Sequence, residues 1–259
     1  MTTIATWNVN SLRVRLPHLI DWLNETQTDI VGLQELKLID EKYPHQALEE
    51  IGYASLNYGQ PTYNGVALVY KKARFSNVTG VVRGNPLLAD EQKRLVRANF
   101  DGLDVVCGYF PNGQALDSDK YQYKLKWLDH LLEWLRQGDL SNTVLLGDYN
   151  IAPAINDTHD PAVWEGQILC SPPERERFEA LIALGLIDSF RHFDLSEKSF
   201  TWWDYRQAAF RRNMGLRIDH LLIGNSVKAR AVKCEIDKAP RKREQPSDHT
   251  PVILTLSDS

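Results

Sequence analysis

The stretch VLLGDYN, residues 144–150, runs from buried-type apolar residues straight into a carboxylate, Asp148, and an amide, Asn150. Apolar β-type runs are built to be buried, so polar groups at the end of one sit at the rim of a sheet. Three other places repeat this arrangement: Asn8 in IATWNVN, Glu35 in IVGLQELK, and Asp248–His249 ahead of PVILTL. Any one of them alone reads as a solvated strand end, and GDYN alone as an Asx turn. Four together, offering oxygen ligands and one imidazole, describe a site for a hard divalent cation and point to metal-assisted phosphoester chemistry.

Working outward, apolar and β-branched runs at 3–8, 30–34, 65–70, 95–100, 103–110, 143–147, 217–223 and 250–256 predict strands. Helix-period stretches lie between them. LPHLIDWLNETQ places Leu16, Leu19, Ile20 and Leu23 on one face, and KYQYKLKWLDHLLEWLRQG repeats Leu125, Leu128, Leu131, Leu132 and Leu135 before stopping at Gly138. PPERERFEALIALG opens on proline and closes on Gly185, as helix ends prefer. Mixed strands and helices of this kind predict a layered α/β domain, with helices outside a sheet core.

The 259 residues are 43% hydrophobic and 25% charged, with no linker-like or repetitive stretch, which predicts one domain over 1–259. No apolar run approaches membrane-spanning length and MTTIATWNVN lacks a leader pattern, so the chain is expected in the cytoplasm, off the membrane, as a monomer. The three cysteines, Cys107, Cys170 and Cys234, are widely spaced without a CxxC, which argues against a disulfide framework or a thiolate zinc site. The net charge of −4 does not advertise nucleic acid. Local basic clusters do exist: Lys120, Lys124 and Lys126; Arg206, Arg211, Arg212 and Arg217; and Lys238, Arg241, Lys242 and Arg243. Each alone reads as a solvated face.

Hydrolysis of an anionic phosphodiester needs a cation to neutralise charge, a base to make hydroxide from water, and donors that hold the phosphate. Magnesium takes few protein ligands. Glu35 and Asp248 are the candidate ligands, and Asn8 is placed to fix ligand waters or phosphate. Asp148 is the candidate general base, with Asn150 donating to phosphate or water. His249 is either a structural histidine or a phosphoryl donor. In the second case it needs an acidic partner, for which Asp219 in LRIDHLL is suited. Strand alternation puts His220 on the face opposite Asp219.

Taken in order, WNVNSLR, LQELK, YFPNG, GDYNIAP, TWWDYR, GLRIDHLL and PSDHTPV resemble the endonuclease/exonuclease/phosphatase superfamily, and within it the exonuclease III branch of repair enzymes. The resemblance implies a four-layer α/β sandwich of the DNase I-like kind: two mixed sheets face to face, helices outside, and a metal site at one edge. It implies Mg²⁺, with Mn²⁺ as a plausible substitute. It makes Glu35 the main ligand with Asn8 and Asp248 beside or behind it, Asp148 the base, and Asn150 and Asn112 holders of phosphate or water. It also pairs Asp219 with His249 and makes Tyr109 a phosphate or transition-state donor. Trp202, Leu216 and Ile218 match the apolar wall of a pocket for the sugar at a lesion. Arg206, Arg211 and Arg212 become phosphate contacts on duplex DNA.

The implied substrates are duplex DNA with abasic sites, nicks or blocked 3′ ends. The activities are 3′-exonuclease and 3′-end trimming, including 3′-phosphatase, with abasic-site incision carried beside them as one mechanism of open substrate preference. The connection AINDTHDPAVWEGQILCS borders the pocket, and Trp164, Gln167 and Leu169 are the residues expected to bear on that preference. Two other readings compete. A small-molecule phosphoesterase of the same superfamily leaves TWWDYR and the arginines without a use, and an inactive DNA-binding module has no use for a general base.

Overall fold

The computed structural model describes residues 1–258. Fourteen strands form two six-stranded mixed sheets and one small ribbon. They are β1 (Thr2–Asn8), β2 (Ile30–Gln34), β3 (Tyr53–Tyr58), β4 (Val66–Lys71), β5 (Val78–Arg83), β6 (Leu95–Phe100) and β7 (Leu103–Tyr109), followed by β8 (Thr143–Asp148), β9 (Ile187–Asp188), β10 (Trp202–Trp203), β11 (Gly215–Leu216), β12 (Asp219–Ile223), β13 (Ala231–Ile236) and β14 (Val252–Leu256). The first sheet has the order β13-β14-β1-β2-β4-β3 and the second β5-β6-β7-β8-β12-β9, while β10 and β11 pair with each other.

The two sheets face each other across a shared core that includes Ile4, Ile30, Val66 and Leu68 from one and Val96, Val105, Val144, Leu146 and Leu221 from the other. Alternate residues turn outward. Ala5, Trp7, Val31 and Leu33 pack under the helix Leu12–Thr26, against Leu19, Trp22 and Leu23. Val106, Leu145 and Leu222 pack under the helices Asp119–Leu135 and Pro172–Ala183. Each large aliphatic side chain so buried contributes roughly 1.5–3 kcal/mol. The result is the expected helix–sheet–sheet–helix sandwich. Because both faces of the central strands are covered, β2 and β8 are buried at every residue, which is why they read as continuous apolar runs. Gly32 sets the sheet separation: a Cβ there would meet Leu146 Cδ1 at 2.1 Å.

Six strands were not marked by a run, three of them the two-residue β9, β10 and β11. Of the others, β5 and β13 carry mostly exposed or half-exposed residues, and β3 is half-exposed along much of its length. These last three lie at or near sheet edges, where no continuous apolar run is required. The run 217–223, predicted as one strand, is shortened: only Asp219–Ile223 joins the second sheet, and Gly215–Leu216, just ahead of the run, pairs with the tryptophans in the ribbon. The gap between the two falls where the Arg217 guanidinium is buried between Asp157 and Asp188. All three cysteines are free and buried, and burial pushes the Cys107 thiol up to about 12, which keeps it inert.

Candidate active site

Strand register brings the carboxylates of the second sheet together. Tyr109 and Asp219 are the register partners of Asp148 on either side, so the ends of β7, β8 and β12 present a tyrosine and two acids in a row. Gly147 allows this closeness, since a Cβ there would lie 1.9 Å from Gly108 O. The first sheet contributes Asn8 at the end of β1 and Glu35 just past β2, where the backbone turns into the left-handed region at φ 54°. A glutamate held so is strained, a condition that collects at functional sites.

Asn8 bridges the sheets: its amide nitrogen donates at 2.9 Å to both Glu35 Oε1 and Asp148 Oδ2. Its oxygen accepts from the Asn10 N–H at 2.9 Å, so the nitrogen, not the oxygen, faces the acids. Tyr109 donates its hydroxyl to Glu35 Oε1 at 2.9 Å. His249 lies with Nδ1 2.8 Å from Asp219 Oδ2 and Nε2 3.6 Å from Asp148 Oδ2. The Asn150 N–H donates to Asp148 Oδ1 at 2.9 Å, its amide donates to Phe110 O at 2.9 Å, and its Oδ1 accepts from Asn112 at 3.1 Å.

Burial alone would raise the Glu35 carboxyl, but Lys37, Asn8 and His249 outweigh it and hold the group below its usual value. Burial raises Asp148 well above the ordinary carboxylate range, with Asp219 adding and His249 opposing. For His249 burial works downward, yet the Asp219 and Asp148 carboxylates lift it well above an ordinary histidine. Tyr109 is raised by burial and by the charges of Glu35 and Asp148, so it stays a phenol and a donor.

One group of three side chains offers ligand atoms within 4.8 Å of one another: Glu35, Asp148 and His249. Its two carboxylates suit a hard divalent cation. Asp248 stands apart from that group. Its oxygens are taken by Asn10 at 3.0 Å and Trp202 Nε1 at 2.9 Å, so it anchors the ribbon to the Asn10 turn. The ribbon is fastened there again by Trp203 N to Asp248 O at 3.0 Å and Thr250 N to Thr201 O at 2.8 Å. Trp203 is fully buried, while Trp202 packs half-buried against an apolar cluster of Ala152, Leu169, Cys170, Leu216 and Ile218, with Trp164 and Ile168.

Arg206, Arg211 and Arg212 are exposed on the segment joining β10 to β11, Arg206 lying 2.6 Å from Asp204. Three of the basic residues that read as surface are buried, Arg241 among them with Nη1 3.0 Å from Ser247 O. Arg217 is buried among Asp157, Asp188 and His220, and Lys124 is buried against Glu174 with Nζ 2.6 Å from Asn150 O. Lys124 shares a helical face with Leu128, Leu131 and Leu135, a spacing visible in the sequence. Lys37 was also overlooked: its Nζ is 3.0 Å from Glu35 Oε2 and 2.6 Å from Asn10 Oδ1. Asn10 and Lys37 flank motif residues, but adjacency by itself says nothing about where a side chain turns. His220 lies away from Asp219, with Nε2 2.8 Å from Ile151 O, as alternation predicted.

The pattern of the endonuclease/exonuclease/phosphatase family matches residues 5–249. The chain belongs to that family. It is 36% identical over 261 residues to exodeoxyribonuclease III of Haemophilus influenzae, covering 95% of this chain and 96% of that one. The 3′ phosphatase NExo from Neisseria, solved with a product DNA hairpin, superposes with a TM-score of 0.95 at 42% identity over 100% of both chains. An AP endonuclease from Archaeoglobus fulgidus superposes with a TM-score of 0.94 at 35% identity, again over 100% of both chains.

Proposed function

We propose that residues 1–259 act as one Mg²⁺-dependent phosphodiesterase domain on duplex DNA, trimming 3′ ends as an exonuclease and 3′-phosphatase and incising abasic sites by the same mechanism. The observation that carries this is the continuous contact path Glu35–Asn8–Asp148–His249–Asp219 across the rims of both sheets. Membership of the family and likeness to enzymes named for 3′-end and abasic-site chemistry support it. We further propose that it works as a monomer in the cytoplasm; no helix among the described residues is long and apolar enough to cross a membrane.

A divalent cation at Glu35, with Asp148 and His249 within reach, would neutralise charge on the phosphoryl oxygens. Asn8 orients the two carboxylates through its amide nitrogen. Asp148, buried and with its carboxyl raised, takes the proton of a water as that water's oxygen attacks phosphorus; the ester P–O bond opposite breaks, and the leaving oxygen departs with the bond's electron pair and takes a proton from solvent. Two donors face the growing negative charge, the Nε2–H of His249 and the amide hydrogen that Asn150 does not give to Phe110; the one Tyr109 O–H, given to Glu35, would join them where Glu35 holds a cation in its place. Asn112 steadies Asn150. Asp219 accepts from Nδ1 and its charge holds His249 protonated, so that Nε2 also carries a hydrogen. In this reading Asp248 supports the site through Asn10 and Trp202 and stands behind the ligands.

The half-buried Trp202, backed by the buried Leu216 and Ile218, offers the apolar surface for the terminal or extruded sugar, and exposed Arg206, Arg211 and Arg212 contact DNA phosphates. Leu169 is packed into that face from the segment between Trp164 and Ser171, which narrows the room beside it and favours frayed 3′ ends over an internal lesion. The test is incubation with Mg²⁺ and two labelled duplexes, one with an internal abasic analogue and one nicked with a 3′-phosphate. Faster release of the 3′-phosphate is expected. Incision at the abasic analogue at an equal or higher rate would contradict the narrowed pocket, and inertness toward both duplexes the whole reading.

A further inference from the structure

Lys124 is among the largest fully buried side chains. Its three ammonium protons meet three acceptors: Asn150 O at 2.6 Å, Asn112 O at 3.2 Å and a carboxylate oxygen of Glu174. Glu174 is equally buried and spends its remaining capacity on the segment ahead of its own helix. Its Oε1 accepts from the Leu169 N–H at 3.1 Å, and its Oε2 from the Ser171 N–H at 3.0 Å and the Ser171 hydroxyl at 2.6 Å. The Tyr121 hydroxyl, 2.6 Å from Ser171 Oγ, completes the chain. The Ala152 N–H donates to Leu169 O at 2.9 Å and closes the circuit. One ion pair thus holds the loop after β7, the loop after β8 and the segment that borders the apolar pocket.

A buried ion pair is a poor device for stability alone, because an apolar pair of similar volume is often at least as stable. What an apolar pair cannot do is bind backbone carbonyls and an N–H of three separate loops. Two of the residues held, Asn150 at φ 50° and Leu169 at φ 72°, sit in the left-handed region and need such restraint.

We propose that Lys124 and Glu174 form a positioning pair for the reaction: Lys124 sets Asn150 and Asn112 against Asp148, and Glu174 ties that setting to the pocket wall at Leu169. The proposal rests on the phosphodiesterase reading above. A displacement of about 1 Å in a phosphate-holding group costs on the order of a hundredfold in rate. Lys124→Met and Glu174→Gln, assayed as the full chain with saturating Mg²⁺ on the nicked 3′-phosphate duplex, are therefore expected to lose roughly ten- to a hundredfold in kcat with KM changed less than about threefold.

The readout that a merely structural role would not move is the coupling to Asn150. In an Asn150→Ala background, Lys124→Met is expected to cost less than about threefold more, since the group it positions is gone. Independent, multiplicative losses would overturn the proposal, as would any folded single variant with kcat within about twofold of the parent. If the single variants do not fold, the apolar pair K124M/E174L and Tyr121→Phe carry the test. The first is expected to fold and be slow, and the second to lose part of kcat at unchanged KM; parental kcat in both defeats the proposal. An unmodified chain inert on DNA would instead bring down the reading beneath it.

Discussion

Asp219 Oδ2 lies 2.8 Å from His249 Nδ1, and Asp219 is also the register partner of Asp148 across β8 and β12. The backbone ladder therefore sets the distance between the acid that orients the imidazole and the acid assigned as base. Asp219→Asn keeps the shape but removes the negative charge that holds His249 protonated; with the Asn oxygen accepting from Nδ1–H, the neutral ring leaves Nε2 without the hydrogen it would donate. Asp219→Asn and His249→Ala are each expected to lower kcat by roughly a hundredfold, more than they raise KM, and the double variant to be little worse than either single one. Steady-state kinetics on a 3′-phosphate duplex decide it; parental kcat for Asp219→Asn would remove the pair from the mechanism.

Asp148 is fully buried and accepts from Asn8 and from the Asn150 N–H, so asparagine fits the space but cannot take a proton. Asp148→Asn is expected to lose about 10²–10⁴-fold in turnover while keeping DNA affinity, as measured by single-turnover rates and by binding to a labelled duplex. A variant that still turns over quickly would assign the base elsewhere.

Removing the carboxylate that anchors the group Glu35, Asp148 and His249 weakens metal binding before it alters the chemistry. Glu35→Ala is expected to shift the Mg²⁺ concentration for half-maximal rate upward by at least about tenfold, with partial rescue by excess Mg²⁺ or by Mn²⁺. An unchanged metal requirement would deny Glu35 that place.

His220 offers a pH test apart from the site. It is fully buried, donates from Nε2 toward Ile151 O and accepts at Nδ1 from Arg217. Burial first and then the Arg217 charge lower it to about 4 from 6.5. The unfolded chain therefore binds a proton below pH about 6.5 that the folded chain refuses until about 4. The contribution is complete above pH about 6.5 and is lost as pH falls toward 4, at up to about 1.4 kcal/mol per unit. Between pH ~7.5 and ~5, His220→Gln should flatten the fall in unfolding free energy by about 2 kcal/mol relative to the parent. Parallel curves from urea titrations at the two pH values would mean that the histidine is not held neutral.

Trp202 has one face on the Leu216–Ile218 cluster and its Nε1–H on Asp248. Trp202→Ala is expected to change the ratio of 3′-phosphatase to exonuclease rates by about tenfold or more while general duplex affinity moves less than about threefold. Equal losses on every substrate would reduce the residue to packing.

The layered fold was legible because strands covered on both faces must be apolar throughout, and β1, β2, β8 and β12 are so covered. The edge strands β5 and β13 were not, since a strand with one free face carries no such signal. The polar residues closing the central runs were legible for the same reason: Asn8, Glu35, Asp148, Asp219 and His249 interrupt sequence that is otherwise core, and the fold brings them within contact of one another. Only the tertiary structure decided what the remaining charges do. Lys124 and Arg217 sit in basic runs that read as surface, yet each is buried because an acid from a distant segment, Glu174 or Asp157, meets it there. Asp248, adjacent to His249 in sequence, turns to Asn10 and Trp202 while the histidine turns to Asp219. The sequence alone determined which groups are present and at which strand ends. Which way each side chain points, and which charge is neutralised, follows from partners tens to hundreds of residues away, and a linear pattern does not encode those meetings.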